Sequence, residues 1–232
     1  MSIPLFAYLY CLMGILSLAV AIIIYRSYRR EKNSTLLSLI LVFLFLFVRG
    51  MAISIPAFVN AQDDRALALG GIIAVVAVYG LVLAGVRLQM FLEHPFFRKH
   101  SRGITGLLAV LGIASVSLLV YDFRLPIITE SGLILWNANP IATWVTGGLS
   151  LVYGIFWCAF LNREARYVED PWQKMKMYML SLDGIFVGTA FFLTFTAEVA
   201  LQAAVGLGLL LISIFLTLAV FSLAQRGLPS TF

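Results

Sequence analysis

Histidine is almost missing from this chain: among 232 residues only His94 and His100 carry an imidazole, and both lie in one short polar connection. No histidine therefore sits in an apolar stretch where it could hold haem, which usually takes such an axial ligand, and no haem is expected. The two flank Pro95 with Glu93 as their one acidic neighbour, so they are read as solvated or headgroup-facing side chains rather than metal ligands. Cysteine is equally scarce. Cys11 and Cys158 have no histidine or second cysteine at metal-ligand spacing, so no metal is expected and both are read as buried space-fillers. Lysine occurs only as Lys32, Lys99, Lys174 and Lys176, always in polar connections. The patterns HExxH, GxSxG and CxxC and the phosphate-binding glycine loop are all absent. No nucleophile can be named, and an enzyme is not expected.

Charge is scarce as well. Charged residues make up 12% of the chain against 62% hydrophobic ones, with a mean hydropathy of +1.00, whereas soluble globular chains run at roughly 45–50% apolar and about 25% charged. The expected solvent is a bilayer. A spanning helix needs about 20 apolar residues, and seven stretches meet that length, near residues 5–25, 35–59, 66–92, 103–122, 138–162, 174–198 and 200–224. With their short turns they use nearly all of residues 1–232, so the expectation is a single all-α integral membrane domain, a seven-transmembrane-helix bundle. The first stretch lacks a preceding basic segment and outruns a signal-peptide core, so it is expected to persist as a helix. The last two adjoin almost without a break around Glu198 to Gln202. A single helix of about 50 residues would reach roughly 75 Å at 1.5 Å per residue, so two helices are predicted.

Basic residues set the orientation. Arg26, Arg29, Arg30 and Lys32 follow the first stretch; Arg87, Arg98, Lys99 and Arg102 surround the third connection; Arg163, Arg166, Lys174 and Lys176 surround the fifth; and Arg226 follows the last. The even connections hold only Arg65 and Arg124. This alternation places the N-terminus outside and the C-terminus in the cytoplasm of a multi-pass plasma-membrane protein. It also accounts for the net charge of +5 as topogenic, and no nucleic-acid binding is expected. The same topology puts Cys11 and Cys158 at opposite depths, too far apart for the Cα separation under about 7 Å that a disulfide needs.

An ionisable residue inside hydrocarbon is costly and marks a functional candidate with a partner. Three stand out: Arg49 in the second stretch, Arg87 near the inner end of the third and Asp183 in the sixth. Arg87 can snorkel to the headgroups. Arg49 is too deep for that, and an isolated buried carboxylate would either neutralise or recruit a cation. An intramembrane polar network of Arg49, Arg87 and Asp183 is therefore expected, with Asp183 ionised and within salt-bridge reach of one arginine. It would serve function or only helix register. Glu198 is read as an interfacial helix-end residue.

Small residues mark close helix approaches: Gly184-x-x-x-Gly188 directly after Asp183, Gly80-x-x-x-Ala84 before Arg87, and Gly147, Gly148, Ser150 and Gly154 along the fifth stretch. Pro56 frees a backbone carbonyl and predicts a kink in the second. Trp144, Tyr153 and Trp157 give the fifth stretch an aromatic face that either lines a ligand cavity or belongs to the membrane interface. The fourth connection, Asp122 to Ala138, exceeds a minimal turn and is expected to fold over the bundle as a lid or lie in the headgroups.

The number and orientation of the spans resemble those of microbial rhodopsins. That resemblance implies a retinal on a lysine of the last helix, yet residues 200–224 contain no lysine and the third helix lacks a carboxylate counter-ion, so no retinal is expected. The basic turn Arg26-Ser-Tyr-Arg-Arg-Glu-Lys32 and the segment Lys174-Met-Lys176 are similar to those of seven-helix input regions of bacterial signalling proteins, which implies a sensory role. Only Arg226 to Phe232 follow the last stretch, so any output is expected on a separate partner protein. Three functions stay open beyond contact with the lipid bilayer: a sensory or small-ligand-binding bundle, a small transporter or channel using Asp183, Arg49 and Arg87, and a structural subunit of a larger complex. Self-association as a homo-oligomer is open too.

Overall fold

The computed structural model describes residues 3–32, 34–87 and 95–226. Its helices are α1 (Leu5–Glu31), α2 (Ser34–Asn60), α3 (Asp64–Val86), α4 (Pro95–Tyr121), α5 (Pro140–Ala165), α6 (Pro171–Thr196) and α7 (Ala200–Arg226). All seven contain a segment long and apolar enough to cross a membrane. They form a ring in chain order in which each packs on the next and α7 closes back onto α1, with α3 also reaching α5. The apolar residues divide between this ring's interior, where Phe6, Ile24, Ile53, Leu67, Phe191 and Leu210 are buried, and an outer surface of exposed Leu, Ile and Val. That outward face is suited to lipid.

The helix count and the break between the last two helices follow the sequence reading; several boundaries shift, for local reasons. Helix α6 begins one turn earlier than the apolar stretch, because Asp170 caps it by accepting the Trp172 amide at 2.9 Å and Pro171 fills a first-turn position that needs no N–H. Asn139 and Pro140 start α5 in the same way, the Asn139 side chain accepting from the Ile141 and Ala142 amides. Helix α3 stops at Val86, so the predicted extension to residue 92 is not helical as far as Arg87, and α4 starts at Pro95 rather than 103. Glu93 and His94 lie outside the described residues, and His100 is exposed within the first turns of α4.

Backbone-on-backbone contacts replace side-chain packing along several helix pairs. A Cβ on Gly50 would stand 2.6 Å from the Tyr10 carbonyl oxygen, and one on Gly188 would stand 2.8 Å from that of Ser150. On Gly154 it would collide with the Gly184 carbonyl, so α5 and α6 meet along a seam of Ser150, Gly154, Gly184 and Gly188. The carbonyl of Ala52, four residues before Pro56 and so deprived of its helical donor, lies against Gly70 of α3.

The fourth connection is a small antiparallel hairpin, β1 (Ile127–Ile128) with β2 (Ile134–Leu135), in the register Ile127 to Leu135 and Ile128 to Ile134. Gly132 turns it at φ +72°, a conformation that glycine adopts freely. Its carbonyl accepts the Phe6 amide at 2.9 Å, tying the hairpin to the start of α1. Leu133 and Ile134 are buried against the bundle. The segment thus folds back onto the bundle at the start of α1.

Candidate ligand cavity

Among the described residues, α2, α3, α5, α6 and α7 line a partly open cavity of about 100 Å³. Leu46, Leu81 and Val187 supply apolar wall, Tyr153 and Trp157 an aromatic one, and Asp183 is the only charged lining residue. Each aromatic is positioned by a glycine of a neighbouring helix. The Tyr153 hydroxyl rests against Gly85 of α3, and the Trp157 ring against Gly184 of α6. The Trp157 Nε1–H donates to the Leu180 carbonyl at 3.1 Å, and the two rings lie 6.4 Å apart.

Asp183 stands at the thirteenth of the 26 residues of α6, deeper than the sequence-based boundary implied. Its carboxylate accepts from two hydroxyls of α7, Ser213 Oγ on Oδ1 at 2.5 Å and Thr217 Oγ1 on Oδ2 at 3.0 Å. Neither was singled out from the sequence. The signal was there, because Ser213 and Thr217 are spaced i, i+4 on an otherwise apolar helix and so share a face.

The expected salt bridge does not form. Arg49 is 1% exposed, with its guanidinium carbon 4.6 Å from the ring centre of Phe191, 5.2 Å from that of Tyr10 and 5.7 Å from that of Phe195. It donates to Thr194 Oγ1 at 3.4 Å and to Met13 Sδ at 3.8 Å, while its Nε has no partner among the described residues. Thr194 lies 11 residues beyond Asp183, about 16 Å along the axis of α6 at 1.5 Å per residue, which is why the two charges do not meet. Arg49 is compensated by aromatic faces, which attract cations most strongly where water is excluded. Arg87 is exposed at the C-terminal cap of α3, as snorkelling requires, and pairs with no carboxylate among the described residues. The proposed triad is thus three separate sites.

Trp144 is not part of the cavity either. It lies nine residues before Tyr153, two and a half turns along α5, and so projects from the opposite face. It is 57% exposed, packs edge-on to Phe192 at 5.5 Å, and lines a separate depression of about 290 Å³ beside the hairpin with Arg124, Trp136 and Glu198. At this end Asp122 is held by Arg124, whose Nη2 lies 2.7 Å away, and by Asn139, whose Nδ2 donates at 3.0 Å. These hydrogen bonds, Arg124's first, hold the Asp122 carboxyl below its ordinary range, and the same carboxylate raises Arg124. Cys158 accepts from Asn162 Nδ2 at 3.2 Å and serves packing.

No family model and no curated protein matches the chain. Its resemblance to microbial rhodopsins extends to the number of spanning helices, and the cavity is what remains from which to reason about function.

Proposed function

We propose that this chain is a non-enzymatic seven-helix membrane protein that binds a small molecule in this cavity and signals the occupancy through a separate partner protein. The supporting observation is the wall of that cavity, where Asp183, Tyr153 and Trp157 converge from two helices, beside Ser213 and Thr217 of a third, within a mostly apolar lining. A concave, mostly apolar space with a few polar groups is the general form of a small-molecule site. The transporter alternative, in which Asp183 titrates or pairs alternately with Arg49 and Arg87, is the less favoured reading, because the α6 residue beside Arg49 is Thr194, about 16 Å along the helix from Asp183. The structural-subunit alternative accounts for Asp183 as a tie between α6 and α7 through Ser213 and Thr217, but not for its place in the wall of a cavity. The N-terminus is proposed to face outward and the basic ends cytoplasmic, in the plasma membrane, with neither retinal nor haem bound.

Thermal unfolding of the protein in lipid nanodiscs, measured against a chemically diverse set of small molecules, tests this reading. Some compounds should raise the melting temperature of the wild type and leave unchanged a variant whose cavity is filled by Val187→Phe. If every compound shifts both proteins equally, the cavity is not a binding site.

A further inference from the structure

The chemistry of the cavity wall selects among ligands. Resting on the reading of the cavity as a binding site, we propose that its ligand is a small organic ammonium ion, with the cationic nitrogen at Asp183 and its carbon substituents against Trp157 and Tyr153.

Charge comes first. Asp183 accepts one hydroxyl on each oxygen, and an ionised carboxylate has about four acceptor positions, so each oxygen keeps capacity facing the cavity. Both hydroxyls can donate to the charged form, and a cation at the open acceptor positions would stabilise that form further. No lysine or arginine ion-pairs with Asp183 among the described residues, because Arg49 is engaged by three rings and Arg87 lies exposed at a helix end. A buried charge without a counter-charge is costly, and a cationic ligand removes that cost. An anionic ligand would increase it, and a neutral one would leave it in place.

The remaining wall decides between kinds of cation. A calcium or magnesium ion wants about six or more oxygen ligands and a zinc ion several His, Cys or carboxylate ligands, whereas this wall offers one carboxylate and two hydroxyls already turned towards it, surrounded by leucine, valine and aromatic carbon. An alkyl-substituted ammonium suits such a wall, since aromatic faces attract the cation and apolar side chains take its alkyl groups. Size adds a limit. A cavity of about 150 Å³ accommodates benzene, so one of about 100 Å³ takes a compact head of a few non-hydrogen atoms.

The test uses the wild-type protein in nanodiscs, labelled with fluorotryptophan and observed by fluorine NMR, with the Trp157 resonance assigned through Trp157→Phe. Tetramethylammonium chloride and methylammonium chloride are titrated against tert-butanol, a neutral compound of similar shape, and against sodium chloride at matched ionic strength. A saturable shift of the Trp157 resonance with one of the ammonium salts, at least about tenfold tighter than with tert-butanol and absent with sodium chloride, supports the proposal. Asp183→Asn should then weaken ammonium binding about tenfold or more while leaving the tert-butanol response unchanged. The selectivity series is read on the wild type and does not use Asp183→Asn, so it decides the matter even where that variant does not fold. An equal response to tert-butanol, or the same shift with sodium chloride alone, overturns the ammonium assignment. If no ammonium salt shifts Trp157 while the compound screen still separates the wild type from Val187→Phe, the ligand class is wrong and the binding cavity stands. If that screen fails too, the underlying reading falls with it.

Discussion

Replacing Arg49 by methionine should disturb this protein less than replacing it by lysine, although lysine keeps the charge. The guanidinium spreads over Tyr10, Phe191 and Phe195 and donates to Thr194. A lysine ammonium is compact and strongly hydrated and cannot lie against three rings together. Losing two ring contacts at about 1–2 kcal/mol each and a charge-assisted bond of about 1.5–3 kcal/mol, in part regained, gives a loss of about 3–5 kcal/mol for Arg49→Lys. Arg49→Met loses the same contacts but also removes the charge, whose burial costs several kcal/mol. Its unbranched thioether fills the slot and makes sulfur–aromatic contacts, so its net effect should stay within about 1.5 kcal/mol, the range of volume-conserving swaps. At roughly 2–4 °C per kcal/mol for a chain of this size, the lysine variant should melt about 6–20 °C below the wild type in nanodiscs and the methionine variant within about 6 °C of it. If methionine proves as damaging as lysine, or more so, the positive charge is doing something the aromatic cage does not explain.

Glycines of α5 should divide by environment. A Cβ on Gly154 strikes the Gly184 carbonyl whereas one on Gly148 meets nothing within 4 Å, so Gly154→Ala should cost about 1–3 kcal/mol and Gly148→Ala should leave the melting temperature unchanged or slightly higher. The Asp122 carboxyl has its acidity increased by Arg124 and then Asn139, so its brace persists above the ordinary carboxylate value of about 3.9 and is lost only as pH falls through the lowered value. Carbon-13 NMR should show Asp122 titrating below its usual range, and Arg124→Gln should move it back up; an ordinary titration in the wild type would refute the brace. A fluorescent reporter that matures only in the cytoplasm should light when fused after Phe232 and stay dark when inserted between Asn60 and Asp64, and the opposite pattern would reverse the proposed orientation. Added all-trans retinal should leave no visible band on the purified protein and no retinyl group fixed to it by borohydride, since none of the four lysines lies in the last span.

What the sequence disclosed depended on range. Seven apolar stretches disclosed seven helices, because span length and hydropathy are properties of consecutive residues. The glycine pattern around Gly154, Gly184 and Gly188 pointed to the α5 and α6 contact, because small residues at i, i+4 have one efficient use between helices. The charge pairing was not legible. Placing Asp183 opposite Arg49 required knowing how far α2 and α6 slide past each other, which counting residues from the helix starts does not give: Thr194, not Asp183, is the α6 residue that meets Arg49. It also required recognising aromatic rings as alternative partners: Phe191 and Phe195 look like any apolar residues in a membrane stretch. Trp144 was grouped with Tyr153 and Trp157 by composition, although nine residues of helix turn it to the far side. Ser213 and Thr217 were readable by spacing once Asp183 was in question.

The glycine seam between α5 and α6 has a mechanical consequence. Where two backbones touch, there are no side-chain rotamers to absorb a displacement, and packed elements shift as units rather than deform gradually. Trp157 lies across this seam, its ring against Gly184 and its indole N–H on the Leu180 carbonyl. A group that pushes on that indole therefore pushes on the main chain of α6, and α5 and α6 move together like the two leaves of a stiff lever. The far ends of the lever carry Arg163, Arg166, Lys174 and Lys176 interleaved with Glu164, Glu169 and Asp170, so a sub-ångström adjustment at the indole would be delivered to a charged end of the bundle where ion pairs can be remade.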